Sequence, residues 1–252
     1  MTDTRPIPPA AKAELTLTGK LRAGINFQNK LLTTLGPNGE QGGVAVEFSR
    51  ELARRLAVPL EIISYKSAGA LADSVSNGAW EISVLGDEPE RAKVIDFATP
   101  LTEIEATYLV PAGSPIRSIG EVDRSGIRIV SPAKSAYDLY LSRTIKNAQL
   151  VQVEGKAAKE HFVKEKLEAL AGLKPGLLEM APTLPGSRIL DGNFTVVRHT
   201  VGMPKGRDAA AAYVRELVEE VKASGLVAKW IAKSGVKGLS VAPPAKRAPG
   251  PV

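Results

Sequence analysis

Residues Trp80 to Phe97 read WEISVLGDEPERAKVIDF, and Arg91 within them is the side chain best placed to do chemistry. Trp80, Ile82 and Val84 alternate as in a short buried strand, GDEP breaks it, and the chain then turns back. Arg91 therefore falls just beyond a strand's carboxyl end. Open α/β sheets bind small ligands at that end, and a guanidinium fork matches a carboxylate through two parallel hydrogen bonds. A solvated arginine in a turn is the plainer alternative. A second candidate is the loop Ser131 to Ser135 (SPAKS), which feeds a helix running from about Ser135 to Ile145. The free N–H groups and positive dipole end of a helix start suit an anion. Ser135 could equally be an ordinary helix cap, and Lys134 a solvated surface lysine.

Composition narrows the chemistry. The 252 residues include no cysteine, which excludes disulfides and thiolate reactions. His161 and His199 are the only histidines and have no partners at metal-ligand spacing, so neither a metal nor another cofactor is expected. A net charge of +6 suits an anionic partner, but aromatics at 5% and the lack of an interleaved basic block argue against nucleic acid. No apolar run is long enough to span a membrane. The first twenty or so residues also lack the apolar core of a secretory signal.

The elements that must position these residues follow from periodicity. A strand at Gly19 to Ile25 precedes an amphipathic helix, Val44 to Leu56, with Val44, Phe48, Leu52 and Leu56 on one face. A strand at Leu60 to Ser64, a helix at Gly69 to Asn77 and the strand ending at Val84 complete a βαβαβ half, which predicts a parallel sheet. A second set follows: strands at Gly126 to Val130, Leu150 to Val153, Ala169 to Leu173 and Arg188 to Leu190, with helices at Ser118 to Asp123, Ala157 to Leu167 and Pro175 to Met180. A return segment at Thr195 to Met203 leads to helices at Ala209 to Ser224 and Val227 to Lys233.

The order strand, break, x-E-R and I-D-F resembles the type II periplasmic solute-binding proteins, in the amino-acid-binding branch (bacterial extracellular solute-binding proteins, family 3) that includes the glutamine-binding protein. GVAVEF from Gly43 is similar to that family's G-x-x-x-[DE]-[LF], and Pro204 to Asp208 (PKGRD) to its P-K-G-x-D turn. The resemblance implies an α/β, two-lobed Venus-flytrap fold, each lobe a mostly parallel sheet flanked by helices. One lobe would comprise residues 15–107 and 201–239 and the other 108–200, with hinges near Ala106 to Leu109 and Thr200 to Gly202. Flexible tails are expected at 1–14 and 240–252. It further implies a substrate-binding protein of an ABC transporter. Such a protein captures a small carboxylate-bearing solute in the inter-lobe cleft by hinge closure and docks as a monomer on a membrane permease. The family is periplasmic; the missing signal leaves a removed leader or cytoplasmic residence as the two readings.

Carried over residue by residue, Arg91 grips the carboxylate, and Asn26 and Asn29 line the loop after the first strand. The family's K-S-G-T-G-S segment corresponds to Ser131, Lys134, Ser135 and the following Ala136. Three departures bear on the ligand. GDEP is about two residues shorter than the family's G-x-T-x-T-x-E, so Gly86 or Asp87 falls where a hydroxyl is expected. Ser67 opens SAGAL, where the family often has an aromatic. Lys174 stands where an acid meets the ligand's amino group. A buried ammonium without an anion costs several kcal/mol. Arg91, Lys134 and Lys174 together therefore favour an organic anion, whereas Asp87 or Glu88 turned inward would keep an amino acid. The competing expectation is an enzyme resembling the cyclohexadienyl dehydratases, with Glu88, Glu103 or Glu105 as general acid.

Overall fold

The computed structural model describes residues 6–154 and 157–245. The chain forms two compact units, one from residues up to Glu103 and from Arg198 onward, the other from Ile104 to Val197.

The first unit opens with helix α1 (Pro9–Leu15), where the sequence predicts a flexible lead-in. Ala11 and Leu15 are fully buried. The Glu14 carboxylate accepts the Ala210 N–H at 2.8 Å, and its carbonyl accepts from the Arg207 guanidinium at 3.1 Å. Two turns of helix are too short for periodicity to reveal, and Pro9 at the first position is tolerated because that N–H has no helical partner anyway. Strand β1 (Leu21–Asn26) follows, then a small hairpin of β2 (Thr34–Leu35) and β3 (Gln41–Gly42), helix α2 (Val44–Leu56), β4 (Leu60–Tyr65), α3 (Ala68–Asp73) and β5 (Ile82–Gly86). The helix predicted over Gly69 to Asn77 thus ends early and continues as a 3₁₀ turn at Ser74–Asn77. β1 lies between β4 and β5 and is parallel to both, which puts the carboxyl ends of all three strands on one edge.

Packing on this sheet is close. An added Cβ on Gly24 would stand 2.6 Å from Leu71 Cδ1 and 2.9 Å from Trp80 Cδ1. Trp80 is fully buried and donates its indole N–H to Ser74 Oγ at 2.9 Å. Gly24→Ala is therefore expected to cost about 1–3 kcal/mol through overpacking, measured as a lower midpoint in urea. An unchanged midpoint would mean that Leu71 and Trp80 yield freely.

Strand β6 (Ile95–Val110) passes from the first unit into the second. The second unit then builds β7 (Arg128–Pro132), α4 (Ala136–Thr144), β8 (Gln149–Val153), α5 (Ala158–Lys164), β9 (Ala169–Leu173), α6 (Lys174–Met180) and β10 (Arg188–Ile189). β7 lies between β8 and β9, parallel to both, and β6 pairs antiparallel with β9 on one side and with β10 on the other. The brief helix predicted at Ser118 to Asp123 is a 3₁₀ turn, Ile119–Glu121, closed by a reciprocal Ser118 and Glu121 capping box. One core layer gathers Tyr108, Ile129, Leu141 and Ala171, with Phe194 against Tyr108 at 4.5 Å between ring centres.

Strand β11 (Thr195–Pro204) returns to the first unit and pairs antiparallel with β5. Helices α7 (Asp208–Ala223) and α8 (Leu226–Ser234) and the two-residue strand β12 (Ser240–Val241) complete it. The two compact units divide a few residues upstream of each expected hinge. Ala106 to Leu109 are held in the ladder with β9, and Thr200 to Gly202 in the ladder with β5. The division falls at Glu103/Ile104 and Val197/Arg198. The tails expected at 1–14 and 240–252 are corrected where described: 9–15 is helical, and 240–241 pair with β6. Residues 1–5 and 246–252 of those tails lie outside the described residues.

Candidate functional site

The carboxyl edge of the first unit's parallel strands collects Asn26, Asn29, Ser67, Gly86, Asp87 and Arg91. Several of these side chains already have structural work. Asn26 Oδ1 accepts the Gln28 N–H at 3.0 Å, and Asn29 Oδ1 that of Leu31 at 3.2 Å, so both shape the turn after β1. Ser67 caps α3 by accepting the Ala70 N–H at 3.0 Å. Arg91 is 5% exposed, in a 3₁₀ turn, and donates to the Gly86 carbonyl at 2.9 Å. The plain expectation of a solvated arginine is thus not met. Burial lowers its pKa to about 10, opposed by the carboxylates of Glu88, Asp73 and Asp87, and it remains a cation at neutral pH. Asp87 lies 3.5 Å from Arg198 Nε, and burial raises its pKa.

His199, opposite Gly86 in the β11 ladder, is 3% exposed and has no partner for Nδ1 among the described residues. Burial, reinforced by the Arg91 charge, lowers its pKa to about 4 from 6.5. The folded protein holds this imidazole neutral while the unfolded chain protonates it below about pH 6.5, so stability is lost as pH falls from there toward 4. The expected loss is about 3 kcal/mol over that window. Urea titrations of the wild type and His199→Gln at several pH values check it. The histidine protein should show the steeper acid-side decline, and parallel curves would contradict the assignment.

The carboxyl edge of β7 and β9 in the second unit carries Ser131, Lys134, Ser135, Ala136 and Lys174. Its organiser is Asp138, fully buried in the first turn of α4. Its carboxylate accepts the Ser131 hydroxyl, the Lys134 N–H at 2.8 Å and Gln152 Nε2 at 2.7 Å, while its own N–H goes to Ser135 Oγ at 3.2 Å. The Ser131 O–H and one lone pair of Ser135 Oγ are therefore engaged in building the loop. So are three of the four amides between Ala133 and Ala136: Ala133 donates to Val153, Lys134 to Asp138 and Ser135 to Pro132. The amides of Ala136 and Tyr137 carry no hydrogen bond to another described residue, and they open a nine-residue helix. These two N–H groups can receive an anion. Lys134 is exposed and holds a left-handed φ of 58°, which its N–H bond to Asp138 helps to keep. The spacing Ser135-x-x-Asp138 is a helix-start pattern from which Asp138 could have been found.

Lys174 begins α6 and meets Glu105 of β6, with 2.6 Å between Nζ and Oε2. Asn193 Nδ2 adds a donor to the same carboxylate at 3.3 Å. The hydrogen bond from Lys174 holds the Glu105 carboxyl below its ordinary range. Both partners remain more than a third exposed. Among the described residues no group of histidines and carboxylates is placed to hold a metal, and no helix is long and apolar enough to cross a membrane.

Two α/β units with parallel strands joined by two crossing strands define the class of fold, and the sequence defines the family. Residues 21–235 match the profile of the bacterial extracellular solute-binding proteins, family 3, and the chain belongs to that family. A search among curated proteins found no match. Among solved structures the chain is similar to a mutant of ArgBP from T. maritima, at 19% identity and TM-score 0.74, covering 89% of this chain and 99% of that one. It is also similar to the solute receptor for L-cysteine of Neisseria gonorrhoeae, at 20% identity and TM-score 0.75, covering 90% and 95%. An ancestral amino acid-binding protein, a precursor of cyclohexadienyl dehydratase, aligns at 21% identity and TM-score 0.72, covering 88% and 98%.

Proposed function

We propose that this solute-binding protein captures a small carboxylate-bearing solute of the amino-acid type and delivers it, as a monomer outside the cytoplasmic membrane, to the permease of an ABC transporter. The reading is carried by the start of α4, where the amides of Ala136 and Tyr137, unengaged among the described residues, are fixed by the buried Asp138. Arg91 supplies a cation at the carboxyl edge of the first unit. Charge balance supports the amino-acid class. The case for a doubly anionic ligand counted Lys174 as an uncompensated cation, yet Glu105 compensates it at 2.6 Å. Around Arg91 the charges of Glu88, Asp73 and Asp87 act in the same compensating sense. A zwitterion adds no net charge to either edge, whereas a dianion adds two. The similar solved structures include a receptor for L-cysteine and a substrate-binding protein bound to L-arginine, both amino acids.

Dehydratase-like turnover is the weaker reading; of its candidate acids, Glu105 is kept ionised by the hydrogen bond from Lys174 and is unsuited to donate a proton at neutral pH. A thermal-shift screen at pH 7 against amino acids and dicarboxylates tests the proposal. A solute at a hundred times its dissociation constant adds about 2.7 kcal/mol, roughly 5 to 10 °C for a chain of this size. Amino acids are expected to raise the midpoint. A rise with dicarboxylates alone would overturn the zwitterion assignment.

A further inference from the structure

The segment after α8 lies across the strand that leaves the first unit. Ser240 and Val241 pair antiparallel with Glu103 and Thr102 of β6, and the Ala242 N–H donates to the Leu101 carbonyl at 3.2 Å. Leu239 and Ala242 are buried at 6% and 3% exposure. One side chain fastens the arrangement. Lys222 of α7, its side chain only 4% exposed, donates to the Pro100 carbonyl at 3.1 Å and to the Pro243 carbonyl at 3.0 Å, and pairs with Glu219 at 2.7 Å. The same Glu219 carboxylate accepts the Ala245 N–H at 3.2 Å.

The position of these contacts is what gives them meaning. β6 belongs to the first unit through Glu103 and to the second from Ile104, so the segment is bonded to the last residues before the strand crosses. Pro100, just upstream, has no N–H and cannot donate to a neighbouring strand, so the ladder there depends on acceptors and on Lys222. A strand held by a paired neighbour up to its crossing point bends less than one with a bare edge. We propose that residues 239–245 form a strap that stiffens β6 at its crossing point and sets how freely the chain flexes between the two units. Lys222 is the clasp, because it ties strand, strap and helix through one buried ammonium. This does not depend on which solute the protein binds.

Hydrogen exchange on the full-length protein tests it, with Lys222→Met, which keeps the apolar stem, and with Ala242→Pro, which removes the donor to Leu101. Amides of residues 101–106 are expected to exchange at least tenfold faster in both variants, while those of β1 and β7 keep their wild-type rates. Two outcomes would overturn the strap. If only residues 239–245 exchange faster and 101–106 do not change, the segment merely rests on β6. If β1 and α2 loosen as much as 101–106, Lys222 supports the whole first unit rather than the crossing strand.

Discussion

Asp138→Ala is expected to destabilise the protein by about 3–5 kcal/mol and to abolish solute binding. Three donors converge on this fully buried carboxylate: the Ser131 hydroxyl, the Lys134 N–H and the Gln152 amide. Truncation strands all three, and each buried donor left without an acceptor costs about 1–3 kcal/mol. The Gln152 side chain can turn toward water, so the sum falls short of three full penalties. For a chain of this size the loss corresponds to a fall in Tm of roughly 6 to 20 °C. Lys134, whose φ of 58° is held partly by this bond, would relax and carry the start of α4 with it. Asp138→Asn retains one acceptor oxygen but turns an NH₂ toward its donors, and should fall between the wild type and the alanine variant. Calorimetry on the three proteins checks the order. An alanine variant as stable as the wild type would show that Asp138 does not organise the loop.

Glu81→Ala is expected to cost about 3–5 kcal/mol. The Glu81 side chain is fully buried just before β5, and it receives both the Arg22 N–H at 2.9 Å and the Arg22 guanidinium. The side-chain hydrogen bond that Arg22 donates to Glu81 raises the Arg22 pKa, so the cation is held by its partner. Removing the acid leaves that cation beside Arg207, a second arginine, without its hydrogen-bonded counter-charge, Glu61 acting only at longer range. The Arg22 side chain is 19% exposed, so water softens the penalty toward the lower end of the range. The double variant Arg22→Met with Glu81→Leu removes both charges and should lose less than Glu81→Ala alone. Urea midpoints measured on the single and double variants decide it. A double variant worse than the single would mean that the pair stabilises the fold beyond satisfying its own charges.

Much of the fold was legible because long elements carry strong periodic signals. Val44, Phe48, Leu52 and Leu56 mark α2, and the alternation from Trp80 marks β5, each buried as the pattern requires. The elements that escaped are short. α1 spans seven residues, and β2 and β3 two each, lengths over which no apolar period can repeat. For the site, parallel strands follow from βαβ connectivity, so the gathering of Arg91 with Asn26 and of Lys174 with Ser131 on common edges was available from topology. What the sequence could not show was how side chains are spent. Ser131 and Ser135 read as part of a ligand loop and also bond Asp138, and Lys174 reads as a free cation but pairs with Glu105, 69 residues away. The Lys174–Glu105 pairing depends on β6 lying antiparallel beside β9, a long-range choice that local spacing does not encode.

The most direct test of the account follows the amide resonances of Ala136 and Tyr137 in a ¹H–¹⁵N spectrum as an amino acid that raises Tm is titrated in. The account predicts that these two signals move among the most, since theirs are the N–H groups left open at the start of α4. The amide of Ala133, already bonded to Val153, should move little. If a binding amino acid leaves Ala136 and Tyr137 unshifted while signals elsewhere respond, the solute is held by other groups and the proposed site is wrong.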